Sequence, residues 1–373
     1  MGIRNLSAIG VVGVLAAAAL LPLGTPAQTK LLGSDTATGD KFGYSVAISA
    51  TTAAVGADYH NTRGAAYIFV KSGATWTQQS ELVGGDTANG DDLGRSIAIS
   101  GSELLVGASG HSGGGAAYFF QRTGTTWRQQ FELLGHNIGA AVGLSGGLAV
   151  VGGVNLANSD GAAYVYTYIN GNWILRETLK SRVNGDDYGE AVAVAGNEIA
   201  VGANWGGEKP GHVYVYHWTG SSAVLQAKLI AKGTSFGDLY GQSIALSGKT
   251  LVVGAPMPGD GNGAAYVYVL SGAVWKRQAK LIASDGQHGD GLGWSVGVSG
   301  NVAVAGADVH GDHGEAYVFA RTGSKWAQTY ELIGSNTAAK DAFGGAVAQS
   351  GSISIIGAPN KDDSRGGAYI FVE

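Results

Sequence analysis

The chain has 373 residues, of which 45% are hydrophobic and 14% charged, with 64 glycines, no cysteine and a formal net charge of −5. That acidic balance, with no basic stripe, argues against a nucleic-acid partner, and the lack of cysteine rules out both a disulfide framework and a lipid-bearing cysteine. Glycine is far above the ~7% share usual in soluble proteins, but it recurs at fixed positions rather than in low-complexity tracts.

In chain order, residues 1–27 stand apart. Arg4 is followed by an apolar run from Ala8 to Leu21, then Pro22 and the small-residue pattern Thr25-Pro26-Ala27. This predicts a secretory signal peptide cut after Ala27, because the run is short for a membrane span. The mature chain is expected outside the cell or in the periplasm, as a monomer with no span of its own.

From Phe42 onward one pattern recurs seven times, opening FGYSVAIS at Phe42, DLGRSIAIS at Asp92, NIGAAVGLSG at Asn137, DYGEAVAVAG at Asp187, LYGQSIALSG at Leu239, GLGWSVGVSG at Gly291 and AFGGAVAQSG at Ala342. Its marker glycines, Gly43, Gly94, Gly139, Gly189, Gly241, Gly293 and Gly344, are 51, 45, 50, 52, 52 and 51 residues apart. Within each copy, a strand with period-two alternation is followed by a tight turn, a strand ending in Gly-Ala, a polar loop, and a hairpin such as AAYIFVK and TWTQQSEL around Ser72-Gly73. Four antiparallel strands in each of seven copies predict an all-β, seven-bladed propeller over residues 28–373. The last copy ends at GGAYIFVE without a fourth strand, whereas Thr29-Lys30-Leu31-Leu32-Gly33 matches Ser80-Glu81-Leu82-Val83-Gly84. The mature N-terminal strand is therefore expected to complete the last blade and close the ring.

The pairing of Phe42-Gly43 with Gly56-Ala57, Tyr240-Gly241 with Gly254-Ala255-Pro256, Phe343-Gly344 with Gly357-Ala358-Pro359, and their equivalents in the other copies, resembles the FG-GAP repeat of integrin alpha-subunit propellers and their microbial relatives. Kelch repeats share the period and the use of Tyr and Trp, but their double glycine after the second strand occurs here only at Gly152-Gly153. The resemblance implies an adhesion or binding platform that offers loops on one face to a protein or glycan. It also implies calcium in DxDxDG loops between the first two strands. Here that connection is as short as Gly101-Ser102, too short for the six to eight oxygens calcium takes, so calcium at those positions is doubtful.

The loop leading into each copy and the loop between strands two and three emerge on the same face, which makes that face the candidate surface. Asp40, Asp91, Asp186, Asp238, Asp290 and Asp341 recur three residues before the marker glycine, as expected for capping of backbone N–H groups. His60, His111 and His310 each lie four residues after the glycine that ends the second strand. With Asp58, Asp308, Asp312 and His313 they offer possible metal ligands, although solvated polar loops are the plainer reading, because the histidines are spread over three blades. Residues that the repeat does not explain are better ligand-binding candidates. After the marker glycine these are Tyr44, Arg95, Glu190, Gln242 and Trp294, at the mouth of the channel, joined by Trp205 in a second-to-third-strand loop. Trp76, Trp127, Trp173, Trp275 and Trp326 follow the repeat and are expected to pack. GWSVG from Gly293 to Gly297 has the spacing of a hydrolase nucleophile elbow, yet Ser45, Ser96 and Ser243 occupy the place of Ser295 within strands.

Two functions are consistent with this pattern. The first is a secreted, non-enzymatic binding or adhesion module. The alternative is a secreted enzyme acting on polysaccharide, with Glu190 as general acid or base beside Tyr44 and Arg95, although glycoside hydrolysis ordinarily needs a pair of carboxylates.

Overall fold

A computed structural model describes residues 26–135, 137–154, 161–181, 183, 185–205, 210–234, 237–257 and 261–373. The expected leader lies outside the described residues except for Pro26 and Ala27. Among the described residues no helix is long and apolar enough to cross a membrane.

The chain forms seven four-stranded antiparallel sheets, each a sequential meander. Blade 1 comprises Phe42–Ser49, Thr52–Ala57, Ala65–Ser72 and Thr75–Leu82. The first strands of successive blades touch one another, and that of blade 7, Ala346–Ser350, touches Phe42–Ser49 of blade 1, so the blades run in a closed circle. Blade 7 takes its fourth strand from the other end of the chain. Ala27–Leu31 pairs antiparallel with Gly367–Val372, with Ala27 opposite Val372 and Leu31 opposite Ala368.

The marker residues serve contacts between blades. In blade 1 the Tyr44 N–H donates to Lys41 O at 3.0 Å across Phe42-Gly43, and Gly43 has φ +94°. This is the third position of a turn that needs positive φ, which glycine takes at no steric cost. A Cβ on Gly94 would lie 2.5 Å from Ala65 O of the preceding blade, and one on Gly56 would lie 2.1 Å from Gly94 O. The same contact passes around the ring and ends with Gly357 against Gly43 O, so the glycines of FG and GA let neighbouring backbones meet. Ser45, Ser96, Ser243 and Ser295 donate to the same carbonyl of the following blade, Ser295 Oγ to Gly344 O at 2.7 Å. Ser295 therefore has a structural partner, at the start of a strand and not at a strand-to-helix turn.

Burial follows the same geometry. Seven apolar clusters each join two adjacent blades, one of them uniting Leu31, Ile355 and Ile370 of blade 7 with Phe42, Tyr67 and Trp76 of blade 1. Phe42 meets Tyr67 edge-on at 5.4 Å, and Phe343 meets Tyr369 likewise at 5.4 Å. Trp127, Trp275 and Trp326 donate to Gln79, Gln226 and Gln278 of the preceding blade, which is the packing role expected of them.

Candidate functional site

The loop-bearing face holds two sets of side chains that the scaffold alone does not require. The first surrounds the channel mouth. In blades 1, 2 and 4 the pairing register shifts between Phe42 and Ser45, Leu93 and Ser96, and Tyr188 and Val192, so Tyr44, Arg95 and Glu190 project from bulges. The Arg95 guanidinium lies 4.8 Å from the centre of the Tyr44 ring, with Nη1 3.6 Å from Asp58 Oδ2. Asp58 is fully buried, and neither of its oxygens has a hydrogen-bond partner among the described residues. Burial pushes its carboxyl up to about 6 despite the opposing pull of Lys41 and Arg95. Burial also raises Glu190, assisted by Asp187 and opposed by Arg95. The Asn204 amide donates to Gln242 Oε1 at 2.6 Å.

Blade 1 and blades 4 to 6 also present exposed apolar groups. Tyr59, Trp205 and Met257 each stand two residues past the second strand, where their backbone N–H groups donate to Asp40, Asp186 and Asp238 carbonyls at 3.3–3.4 Å. These three side chains are 47%, 43% and 52% exposed, and Val309 at the same place in blade 6 is 57% exposed. Trp294 on the rim of blade 6 is 38% exposed. The face thus carries exposed apolar side chains at Tyr59 of blade 1 and at Trp205, Met257, Val309 and Trp294 of blades 4 to 6, with charged groups at Arg95 of blade 2 and Glu190 of blade 4.

The second set lies in blades 1, 2 and 6. Four of the lead-in aspartates cap backbone, Asp40 Oδ2 accepting from Ala37 N–H at 2.7 Å, Asp91 from Ala88 at 2.7 Å, Asp341 from Ala338 at 2.8 Å and Asp290 from Gln287, whereas the buried carboxylate of Asp186 accepts no hydrogen bond among the described residues. In Asp40, Asp91 and Asp290 the same Oδ2 also holds an imidazole. His60, His111 and His310 place Nδ1 at 2.7, 2.8 and 2.7 Å from Asp40, Asp91 and Asp290. Each Nε2 then faces two further carboxylates: Asp35 at 3.5 Å and Glu81 at 3.6 Å, Asp86 and Glu132 both at 3.9 Å, and Asp285 and Glu315 both at 3.7 Å. Buried tyrosines fix these acids, Tyr67 donating to Asp35, Tyr118 to Asp86 and Tyr317 to Glu315, each at 2.9 Å.

This arrangement corrects two expectations. The histidines are not solvated loop residues, since His60 and His310 are 2% and 7% exposed. The companions expected from proximity in sequence also differ. Asp58 turns toward Arg95, Asp308 is half-buried with its carboxyl raised by desolvation to about 6, and Asp312 lies in the short turn His310–Asp312, so none of the three joins a histidine cluster among the described residues. The true partners come from the lead-in loop and from the third or fourth strand. The signal for most of them is a fixed spacing: Asp35, Asp40, His60 and Glu81 repeat as Asp86, Asp91, His111 and Glu132, and as Asp285, Asp290, His310 and Glu331, but the carboxylate that faces His310 is Glu315, which the spacing does not mark.

Comparison with known proteins agrees with the architecture. The family model described as FG-GAP repeat matches residues 26–69, 76–120, 224–268, 275–319 and 326–371. No curated protein matches the chain. Among solved structures, a chain from "Crystal Structure of Mitotic Checkpoint Complex" is similar over 98% of this chain and 99% of its own length, at 14% identity and a TM-score of 0.61, a likeness of fold alone.

Proposed function

Since this chain belongs to the FG-GAP repeat family, and its fold is consistent with a binding module, we propose that it is a secreted, non-enzymatic adhesion module whose channel mouth engages a protein partner. The observation that carries this reading is the apolar arc of Trp205, Met257, Val309 and Trp294, projected from loops whose backbone the scaffold fixes. Exposed aromatic and Met side chains are typical of interface cores, and Arg95 and Tyr44, across the face in blades 2 and 1, supply polar groups. Met257 and Val309 offer no flat ring for a sugar to stack on, which favours a protein over a glycan. The leader pattern supports export. An enzymatic reading is weaker because Asp58, the carboxyl with a raised pKa beside Tyr44 and Arg95, is wholly buried and cannot touch a substrate.

The test is a binding screen of the full chain against extracellular protein and glycan arrays, repeated with Trp205→Ala and Trp294→Ala. Loss of protein binding by roughly tenfold or more, with an unchanged melting midpoint, is expected of a contact carrying 1.4 kcal/mol or more. Binding of glycans only would redirect the reading to carbohydrate. Binding untouched by either substitution would remove the apolar arc from it.

A further inference from the structure

We propose that the Asp–His–Glu clusters of blades 1, 2 and 6 are three separate sites for a divalent first-row transition ion of the zinc type, each bound by one imidazole nitrogen and two carboxylates. The argument begins with the imidazole. With Nδ1–H donated to Asp40, Asp91 or Asp290, the Nε2 lone pair is left pointing between the two acids, and a histidine that ligates metal is held by the same kind of carboxylate partner. No hydrogen bond reaches Nε2 of His111 or His310 among the described residues, although both side chains are nine-tenths buried. In blade 1 the Asn61 amide donates to that nitrogen at 2.7 Å, so the nitrogen serves as an acceptor there. Glu132 Oε1, which faces His111, is itself buried without a hydrogen-bond partner among the described residues. The Nε2-to-carboxylate distances of 3.5–3.9 Å are too long for hydrogen bonds. They are a few tenths of an ångström above the edge of about 3.3 Å that a tetrahedron with zinc bonds of about 2.0–2.1 Å would have.

Charge points the same way. Asp35, Asp40 and Glu81 surround one imidazole, so even a protonated His60 leaves a net negative cluster, which Arg63 offsets only in part. Blade 6 carries Glu315 in addition to Glu331, and His313 adds a buried Nε2 with no hydrogen bond among the described residues, 3.4 Å from Glu315 Oε1. Blade 7 shows what fills this place when the acids are missing. Lys361 takes the position of the histidine, Asn336 that of the outer aspartate and Lys30 that of the glutamate, and the Lys361 ammonium donates to Asn336 O and to Asp341 Oδ2. In blades 4 and 5, too, the glutamate's place is held by lysine, Lys228 and Lys280, while Gly206 and Pro258 stand in sequence where the histidine would be. Acids and histidine thus occur together, and a built-in cation replaces them together. An imidazole nitrogen among the ligands favours zinc and its neighbours over calcium, which takes oxygens.

The experiment is equilibrium dialysis of the full chain against micromolar zinc or calcium, followed by metal quantification. Three zinc ions per chain and no comparable calcium are expected. His111→Lys copies the residue found in blade 7, and Glu132→Gln leaves the histidine in place. Each should lose one zinc while keeping the melting midpoint of the metal-free protein, and either variant alone is informative if the other misfolds. Less than one zinc per chain, or a stoichiometry that both folded variants leave unchanged, would overturn the proposal.

Discussion

Asp58 is a fully buried carboxylate without a hydrogen-bond partner among the described residues, and it has a definite consequence for stability. Its folded pKa of about 6 lies above the ordinary value of 3.8, so between those limits the folded protein holds a proton that the unfolded chain has released. Stability therefore rises as pH falls through this window, and above it the buried charge is a constant cost. Asp58→Asn is expected to raise the melting midpoint at pH 7.5 by an amount equivalent to about 1–3 kcal/mol, with the gap closing below pH ~4. A gap independent of pH in thermal melts would mean that the carboxyl is not desolvated. At this scale the sequence was only partly legible. The capping role of the lead-in aspartates could be read from their recurrence. Their second role could not, because Asp40 meets His60 only through the fold, and the neighbours in sequence, Asp58 and Asp308, point elsewhere. The shared spacing of three blades against the lysines of the others was the available clue.

Among elements, the strands were legible because alternation and turn glycines agree, and the repeat supplied seven independent readings of one unit. The irregularity at the start of each first strand was less so. In blades 5, 6 and 7 that strand begins at Ile244, Ser295 and Ala346, after the marker glycine, whereas in blades 1, 2 and 4 it begins at Phe42, Leu93 and Tyr188, before it. The role of those glycines can be measured by a pair of substitutions. Gly90 and Gly94 have φ of +87° and +94°, but a Cβ on Gly90 meets nothing within 4 Å, whereas one on Gly94 lies 2.5 Å from Ala65 O. Gly90→Ala should show only the backbone cost, on the order of 1–2 kcal/mol. Gly94→Ala has to part blades 1 and 2 as well, so its melting midpoint should fall clearly further. Equal losses would deny the close approach between blades.

For the whole molecule, period and strand count led to the propeller, and the match between Thr29–Gly33 and Ser80–Gly84 indicated where a fourth strand for the last blade could come from. What the repeat could not give was the chemistry of the mouth, since the charged sector at Arg95 and the apolar sector at Trp205 lie where the copies differ. Leu31 and Leu82 hold equivalent places in blades 7 and 1 and are 3% and 7% exposed. If the strand at Ala27–Leu31 is as integral as any other, Leu31→Ala and Leu82→Ala should each cost about 2–5 kcal/mol in denaturant unfolding. A markedly smaller loss for Leu31 would make that strand an accessory.

The register of that strand pair also decides how the ring answers a mechanical load. Ala27 lies opposite Val372, so chain leaving before Ala27 and chain leaving after Val372 depart from the same end of the pair. A force pulling those two points apart breaks the rungs one after another, from Ala27–Val372 toward Leu31–Ala368, instead of loading all of them together in shear. Anchored at both ends under tension, the ring would open by unzipping at blade 7 while the interfaces between the other blades remain unloaded. Anchored at one end, with the partner held on the loop face, the pair would carry no such load.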